Sequence, residues 1–526
     1  MIIRPGAALV ALFLSAAVGQ ADRLHILHVN DLHSRIEPIT KYDSTCAPED
    51  DAAGECFGGV ARLAAKVAAL RADLEAAGER VILLDAGDQF QGSLMYTTYK
   101  GAAEAEFMEA MGFDAMAVGN HEFDDGPEGL AGFLDKVSFP VISGNIDVSG
   151  SGVLAGRVGN HVVLDLDGMK VGIVSALAVD TVETSSPGDD VVFSDEAEAL
   201  RADVATLTAQ GVEKIIALTH VGLSRDLDLA AEVPGIDAIV GGHSHTLMSN
   251  GAEGALPYPQ MVGGVPVVQA FAYGKYLGHL VLEFDAAGTV TAASGDTILL
   301  DASVTPDAAM AARVAELAGP IAEVKARVVA EAAADIDGGR ETCRIGECTM
   351  GNLVADAMLA RVRDQGVSIA IQNGGGLRAS IAAGQVTMGD VLGVLPFQNT
   401  LSTFEATGAT VLAALENGLS QIDEGAGRFP QVAGMRYVFD PAADAGARVV
   451  SAEVREGDGW VTLDPGRTYG VVTNNYMRGG GDGYAMFETE GMNAYDFGPD
   501  LADVLADYMA ANAPYQPGLD GRITMK

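Results

Sequence analysis

Short apolar segments alternate with amphipathic segments through the first half of the chain. The apolar segments lie at residues 24–29, 81–84, 115–118, 141–143, 171–175, 215–218 and 238–240. Between several of them are stretches such as 61–77 and 104–111, whose spacing of apolar residues is typical of helices. This alternation predicts a layered α/β core with helices on both faces of a sheet, or two sheets packed together.

The pattern changes after residue 300 and indicates a second half. Residues 266–301 predict further strands, and residues 306–329 predict a helix that links the two halves. A helix near 350–362, an apolar segment at 367–372 and a glycine triplet follow. We therefore predict a two-domain α/β protein, with a first domain at 22–303, a linker helix at 304–327 and a second domain at 328–526.

The composition is strongly acidic. The chain has 526 residues and a formal net charge of -40, with a pI near 4.3. At roughly 100–200 residues per domain, this length predicts two or three domains. An acidic surface repels the phosphates of nucleic acids, so we do not expect a nucleic acid polymer as a partner.

The N-terminus has the features of a signal peptide over residues 1–21. Arg4 supplies the positive charge, residues 7–18 are apolar, and small residues near 17–21 offer cleavage sites. The apolar stretch is short for a membrane span, and a retained N-terminal anchor is the alternative. We expect an exported protein, periplasmic or secreted, whose mature chain has no membrane span.

The four cysteines form two local pairs. Cys46 and Cys56 are ten residues apart, and Cys343 and Cys348 are five apart. Two short-loop disulfides are the simplest interpretation in an exported protein, with metal ligation as the alternative.

Six short polar clusters each follow one of the apolar segments. Strand ends can meet at one edge of a sheet, so oxygen and imidazole groups far apart in sequence can converge there. Asp31 and His33 are two residues apart, as are His243 and His245, and strand alternation would point each pair the same way. A sheet edge with such groups is a natural place for two metal ions and a hydrolytic reaction. His28 lies within its strand, and we assign it to the core. The clusters are Asp31-Leu32-His33, Gly87-Asp88, Gly119-Asn120-His121-Glu122, Ser143-Gly144-Asn145, Thr219-His220 and Gly241-Gly242-His243-Ser244-His245.

Five of these clusters resemble the calcineurin-like metallophosphoesterases, whose pattern is D-x-H, G-D, G-N-H-[DE], a later His and G-H-x-H. Residues 119–124 are similar to the 5′-nucleotidase branch of that family. The resemblance implies two divalent metal ions, zinc first, with manganese, cobalt or iron as alternatives, because mixed oxygen and imidazole ligation suits these metals. Asp88 would bridge both metals. The implied ligands are Asp31, His33 and His245 at one metal, and Asn120, His220 and His243 at the other.

The same resemblance implies roles for two further residues. His121 would stabilise or protonate charge near the transferring phosphate while a metal-activated water attacks phosphorus. Asp124 would accept the other N–H of His121 and fix its tautomer, or it is simply a carboxylate at a helix start.

The C-terminal half contains groups that suit a nucleotide. Three arginines can grip phosphate oxygens, and a glycine triplet lets the backbone approach a ligand closely. These segments are similar to the C-terminal 5′-nucleotidase domain, which implies two aromatic rings around the base and an aspartate on the ribose hydroxyls. The implied substrate-binding residues are Arg340, Arg344, Asn373, Arg378, Phe397, Tyr476 and Asp482.

We therefore expect an exported phosphomonoesterase that hydrolyses nucleoside 5′-monophosphates, with nucleoside di- and triphosphates and nucleotide sugars as further substrates to test. The resemblance also implies rotation of one domain against the other. Three alternatives stay open: a 2′,3′-cyclic nucleotide phosphodiesterase, a thiosulfohydrolase of the same superfamily, and an exported nucleotide-binding protein without turnover.

Overall fold

The computed structural model describes residues 22–526 except for Tyr42, Ser44, Gln398, Asp458 and Phe497. The predicted signal peptide at 1–21 lies outside the described residues. Within the described part of the chain, no helix has both the length and the apolar character that crossing a membrane requires. The predicted two-domain α/β architecture is confirmed.

Two mixed β-sheets pack face to face in the first domain. Side chains of both sheets, such as Leu24, Ile82 and Ile216, share one buried core. A short pair of strands, Ile146–Asp147 and Val192–Phe193, lies beside them. In spatial order, the first sheet contains Val290–Leu299, Tyr276–Phe284, Asp22–Val29, Arg80–Asp85, Ala115–Ala117 and Val141–Ile142, and the second contains Gln260–Val262, Val265–Val268, Ala238–Val240, Lys214–His220, Met169–Leu177 and His161–Leu166.

Helices cover the outer faces of this sandwich. Their apolar stripes pack onto the sheets, as Phe107 does on one side and Leu200 on the other. The central strands of each sheet run parallel, so that the loops after these strands gather at one edge. The helices are Pro48–Ala53, Val60–Ala76, Leu94–Tyr99, Ala102–Met111, Gly126–Leu134, Thr181–Thr184, Glu196–Ala209 and Leu223–Glu232, with a 3₁₀ turn at His121–Phe123.

The linking helix runs from Ala308 to Ala326, slightly shorter than the predicted 306–329. The Asp307 carboxylate caps it by accepting the backbone N–H groups of Ala309 and Met310. The helix packs against the first domain through Leu317, among other residues, and a strand begins two residues after its end.

The second domain contains a mixed sheet and an adjoining smaller sheet around two further cores. Its strands are Pro430–Ala433, Val367–Asn373, Thr468–Asn474, Leu401–Thr407 and Met492–Tyr495 in one sheet, Gly459–Thr462, Val449–Glu456, Met435–Phe439 and Ile523–Met525 in the other, and the pair Val328–Ala332 and Gly384–Thr387. Its helices are Arg340–Cys343, Thr349–Val362, Met388–Val394, Gly408–Leu419, Asn475–Arg478, Ala485–Glu490 and Leu501–Ala511, with 3₁₀ turns at Arg363–Gln365, Gly374–Gly376, Ile422–Glu424 and Gly481–Gly483.

Both predicted disulfides are present. Cys46 pairs with Cys56 and Cys343 pairs with Cys348. The second bridge encloses Arg344, one of the predicted phosphate-binding residues, in a short loop that Gln431 supports through hydrogen bonds to the carbonyls of Cys343 and Gly346.

Candidate active site

The predicted metal ligands converge where the parallel strands of the two sheets end. Their ligand atoms form overlapping groups in which all atoms lie within 4.8 Å of one another. Asp88 joins two of these groups, and His121 also lies in one of them. The groups are Asp31, His33 and His245; His33, Asp88 and His121; and Asp88, His220 and His243.

Distances inside the cluster support this grouping. Asp88 Oδ2 lies 3.0 Å from Nε2 of His220 and 3.7 Å from Nε2 of His33. On one side, His245 Nε2 is 3.2 Å from Asp31 Oδ1. At the second predicted metal site, which includes Asn120 and His243, His243 Nδ1 lies 2.9 Å from Asn120 Oδ1.

Several of these residues have strained backbones. Asp31, His33, Asp88, His243 and His245 all have φ between 49° and 72°, the left-handed region that residues other than glycine rarely adopt. These residues lie in loops beyond the strands. The prediction that strand alternation points the side chains of each i, i+2 pair the same way is therefore wrong, although the side chains do converge. Left-handed turns that re-aim each side chain bring them together instead. Such strain persists only where the surroundings enforce it, and it concentrates at functional sites.

The donor set fits metal ions. His33 Nδ1 lies 3.0 Å from the carbonyl of Phe90, and His220 Nδ1 lies 2.7 Å from the carbonyl of Ala86, so each Nδ1 carries the hydrogen and each Nε2 is left to face the cluster. Burial lowers the pKa of His33, His243 and His245, which keeps these imidazoles neutral as ligands must be.

Charge at the centre also favours a cation. Burial disfavours the Asp88 carboxylate, but His220 and its other imidazole neighbours lower the pKa of Asp88 well below the usual value. Burial likewise opposes protonation of His220, yet the adjacent Asp88 raises the pKa of His220 to about 10. The pocket therefore stabilises positive charge next to Asp88, as a bound divalent cation would supply.

Glu122 supports the loop that carries Asp88. Its carboxylate accepts backbone N–H groups from Gly119 at 2.7 Å, Asp88 at 3.0 Å and Gln89 at 2.8 Å. Burial, and then Asp88, raises the pKa of Glu122 to about 7. A Cβ on Gly119 would overlap Asp88 Oδ1, so only glycine fits there.

His121 and Asp124 form a hydrogen-bonded pair beside this cluster. His121 Nδ1 lies 2.6 Å from Asp124 Oδ2, and the backbone N–H of His121 donates to Asp88 Oδ1 at 2.9 Å. Burial lowers the pKa of His121, but Asp124 and Asp88 outweigh it and raise that pKa above the usual value. The imidazolium form is thereby favoured next to the cluster.

The second domain closes over the same centre. Arg378 Nη2 lies 2.9 Å from His33 Nε2, and Arg340 donates to the carbonyl of His243 at 3.4 Å. The ring of Phe397 lies 5.8 Å from that of His121, nearly parallel to it. All seven predicted substrate-binding residues line one cavity of about 200 Å³ together with Asp88, Asn120, His121, Asp124, His243 and His245.

In the wall of this cavity, Asp482 is held by two predicted neighbours. Asn373 Nδ2 donates to Asp482 Oδ2 at 2.7 Å, and the Tyr476 hydroxyl donates to Asp482 Oδ1 at 3.1 Å. Asp482 also has a left-handed φ of 54°. Its carboxylate is therefore fixed in place at the cavity wall.

One predicted cluster does not join the site. Asn145 instead bridges strands, because its side chain exchanges hydrogen bonds with the backbone of Leu177 at 2.7 and 2.8 Å. His28 is buried, as predicted, with Nε2 2.8 Å from the Tyr258 hydroxyl.

Sequence reasoning missed part of the cavity wall. The segment that includes Asp180, Thr184 and Ser185 lines it from the first domain, and Asn399, Gln421 and Arg428 line it from the second. Asp180 comes three residues after the strand Met169–Leu177, but none of these residues belongs to a predicted polar cluster, and residues 180–188 have the composition of an ordinary polar turn. Only the three-dimensional structure shows that these residues border the cavity.

Comparison with known proteins defines the class and then the family. Residues 24–247 match the family model for calcineurin-like phosphoesterases, and residues 323–489 match that for the 5′-nucleotidase C-terminal domain. A 5′-nucleotidase of Diplobatis ommata is 38% identical over 98% of this chain and 92% of its own length, and a human 5′-nucleotidase is 37% identical over 96% and 91%.

A solved structure agrees with this assignment. The 5′-nucleotidase precursor of Thermus thermophilus superposes with a TM-score of 0.90 at 41% identity, covering 96% of this chain and 99% of the other. The chain belongs to the 5′-nucleotidase family of metallophosphoesterases, and it is a hydrolase.

Proposed function

We propose that this protein is an exported, dimetal phosphomonoesterase that hydrolyses nucleoside 5′-monophosphates to nucleoside and phosphate. One observation carries the proposal: the buried ligand cluster and the arginine and aromatic groups of the second domain line a single cavity. A nucleotide has a phosphate at one end and a planar base at the other, which matches the two kinds of group that line this cavity.

The arginines form the phosphate end of the proposed site. Arg344 is buried, and Arg340 and Arg378 both reach residues of the first domain that belong to the ligand cluster. Planar guanidinium groups grip phosphate oxygens with paired donors, and in a buried site these bonds are strong. They would orient the phosphorus toward the cluster.

The nucleoside end uses stacking and one fixed carboxylate. Phe397 and Tyr476 would sandwich the base, and Asp482 would accept hydrogen bonds from the ribose hydroxyls. Base–aromatic stacking contributes about 1–3 kcal/mol for any base, which predicts broad use of nucleotides. Asn373, through its bond to Asp482, would keep the carboxylate in position.

The metal assignment completes the proposal. Bound zinc ions, or manganese, cobalt or iron, would supply an activated water and neutralise charge on the phosphoryl oxygens. His121, protonated beside Asp124, has Nε2 left to donate a hydrogen bond to the reacting phosphate. The proposed ligands are those predicted from the sequence. Asp88 would be shared by both metal ions. The other ligands would be Asp31, His33 and His245 at one metal, and Asn120, His220 and His243 at the other.

Export to the periplasm or the medium is part of the proposal. Two local disulfides suit an oxidising compartment, and the features of residues 1–21 suit a signal peptide. We also propose that the domains comprise residues 22–303 and 328–526, with the linker helix between them. As further substrates besides the monophosphates, we propose nucleoside di- and triphosphates or nucleotide sugars.

A substrate panel with metal content measured on the same sample tests the function. We expect phosphate release from AMP, its loss with a chelator, and slower or no release from cyclic AMP and simple phosphoesters. Asp88→Asn should lose both metal and activity, whereas Asp147→Asn, at an exposed position, should lose neither. Binding of AMP without any phosphate release at full metal loading would refute the proposal in favour of a binding protein.

A further inference from the structure

The Asp124 carboxylate uses both of its oxygens. Oδ2 pairs with His121 Nδ1 at 2.6 Å, and Oδ1 accepts a hydrogen bond from the Ser185 hydroxyl at 2.7 Å. The side chains of Asp124 and His121 are both mostly buried, with 13% exposed. Ser185 is 61 residues away in the chain and belongs to no motif that the sequence displays.

A second hydrogen bond changes what Asp124 can do. A carboxylate held at one oxygen can turn about its Cβ–Cγ bond, which swings the accepting oxygen away from the imidazole. A donor on the opposite oxygen fixes the plane of the carboxylate and therefore the ring it holds. Hydrogen bonds to an ionised acceptor are also stronger than bonds between neutral groups.

Ser185 reaches Asp124 from a well-anchored segment. It follows the helix Thr181–Thr184, and its backbone N–H donates to the carbonyl of Thr181 at 3.0 Å. Thr181 is fully buried, and its hydroxyl donates to the carbonyl of Ala178 at 2.7 Å. The same helix lies against the turn Gly481–Gly483 of the second domain, which carries Asp482. The segment thus contacts both the catalytic pair and the turn at the nucleoside end.

We propose that Ser185 is a positioning residue that holds Asp124, and through it His121, in the orientation used for phosphoryl transfer. The inference rests on the proposed function, since it assigns Ser185 a part in that reaction. A residue that acts only through Asp124 changes the rate of the chemical step and leaves nucleotide binding unchanged. Ser185 also lines the cavity, so a direct contact with the substrate would instead appear as a raised KM.

The test compares two substitutions at this position. Ser185→Ala removes the hydroxyl and should lower kcat for AMP by roughly 10-fold, with KM and the inhibition constant of adenosine within about 2-fold of wild type. Ser185→Thr keeps the hydroxyl and should restore most of kcat, because the backbone there is extended (φ −151°, ψ −158°) and accepts a β-branched residue. Ser194→Ala, which removes the hydroxyl of an exposed serine that donates to the carbonyl of Asn145 outside the cavity, is the control.

A double-mutant cycle makes the test specific. In an Asp124→Ala background, Ser185→Ala should have no further effect on kcat, because the group it positions is gone. An equal loss in both backgrounds, an unchanged kcat, or a raised KM at full kcat would each overturn the inference while the wild type remains active on AMP. If the wild type releases no phosphate from AMP, the proposed function falls first and this inference falls with it.

Discussion

Arg378 of the second domain reaches His33 of the first, with 2.9 Å between Nη2 and Nε2. His33 is one of the proposed metal ligands, so a phosphate bound to that metal would lie within reach of the Arg378 guanidinium. The guanidinium also lies over the ring of Phe397, at 5.6 Å from the ring centre. Arg378 thus contacts one group of the proposed phosphate end and one of the proposed base end of the cavity.

We therefore expect Arg378→Ala to lower kcat/KM for AMP by about 10- to 100-fold, because charge-assisted bonds to phosphate are lost. Steady-state kinetics measure it, and Arg378→Lys should recover only part of the loss since lysine lacks the planar fork. Arg436→Ala, at a partly exposed arginine over Trp460, is the control. Wild-type kinetics in Arg378→Ala would exclude this residue from phosphate binding.

Glu122 is expected to matter for metal affinity although it is not a predicted ligand. Glu122→Gln replaces one acceptor oxygen by an NH₂ group. This group faces either the N–H groups of Asp88 and Gly119 or that of Gln89, so the Asp88 loop should shift. We expect metal affinity to fall by about 10- to 100-fold, measured by competition with a chelating dye. Glu416→Gln, at a carboxylate that also accepts two backbone N–H groups but lies in the second domain, should leave metal affinity unchanged. Unaltered affinity in Glu122→Gln would contradict this supporting role.

Much of the fold and the convergence of the cluster could be predicted from the sequence. Apolar segments mark the strands, and polar residues at or shortly after the strand ends, such as His220 and Asp88, mark the edge where strands end. The left-handed turns at Asp31 and His243 could not be predicted, because they depend on packing from loops distant in sequence. Ser185 was missed for the same reason: its role comes from a contact across 61 residues.

The choice between one sheet with helices on both faces and two packed sheets also needed the structure. Residues of the inner core, such as Ile26 and Val171, have the same apolar character as residues that face helices, such as Leu27. Local pattern therefore predicts burial without saying which layer covers each side chain.

The Tyr476 hydroxyl should contribute to nucleotide binding beyond stacking. It donates to Asp482 Oδ1 and accepts the backbone N–H of Asp482, both at 3.1 Å. Tyr476→Phe keeps the ring but leaves the Asp482 carboxylate held by Asn373 alone, so KM for AMP should rise about 3- to 10-fold at nearly constant kcat. Tyr476→Ala should raise KM further because the ring is lost as well. Tyr437→Phe, which removes a buried hydroxyl bonded to the carbonyl of Pro430, is the control, and an unchanged KM in Tyr476→Phe would show that stacking alone is used.

Buried His28 should make the folded state sensitive to acid. Burial lowers the pKa of His28 to about 3, while in the unfolded chain it stays near 6.5. Between these two pKa values the unfolded chain binds one more proton at His28 than the folded chain does. The free energy of unfolding therefore falls as the pH drops below about 6.5, by up to about 1.4 kcal/mol per pH unit from this residue. His28→Gln should reduce that slope in urea unfolding measured from about pH 7 to about pH 4. Tyr258→Phe, which removes the partner hydroxyl and leaves the imidazole, should lower stability at every pH and keep the slope. An identical slope in His28→Gln and wild type would mean that other groups, such as His279, set the acid sensitivity.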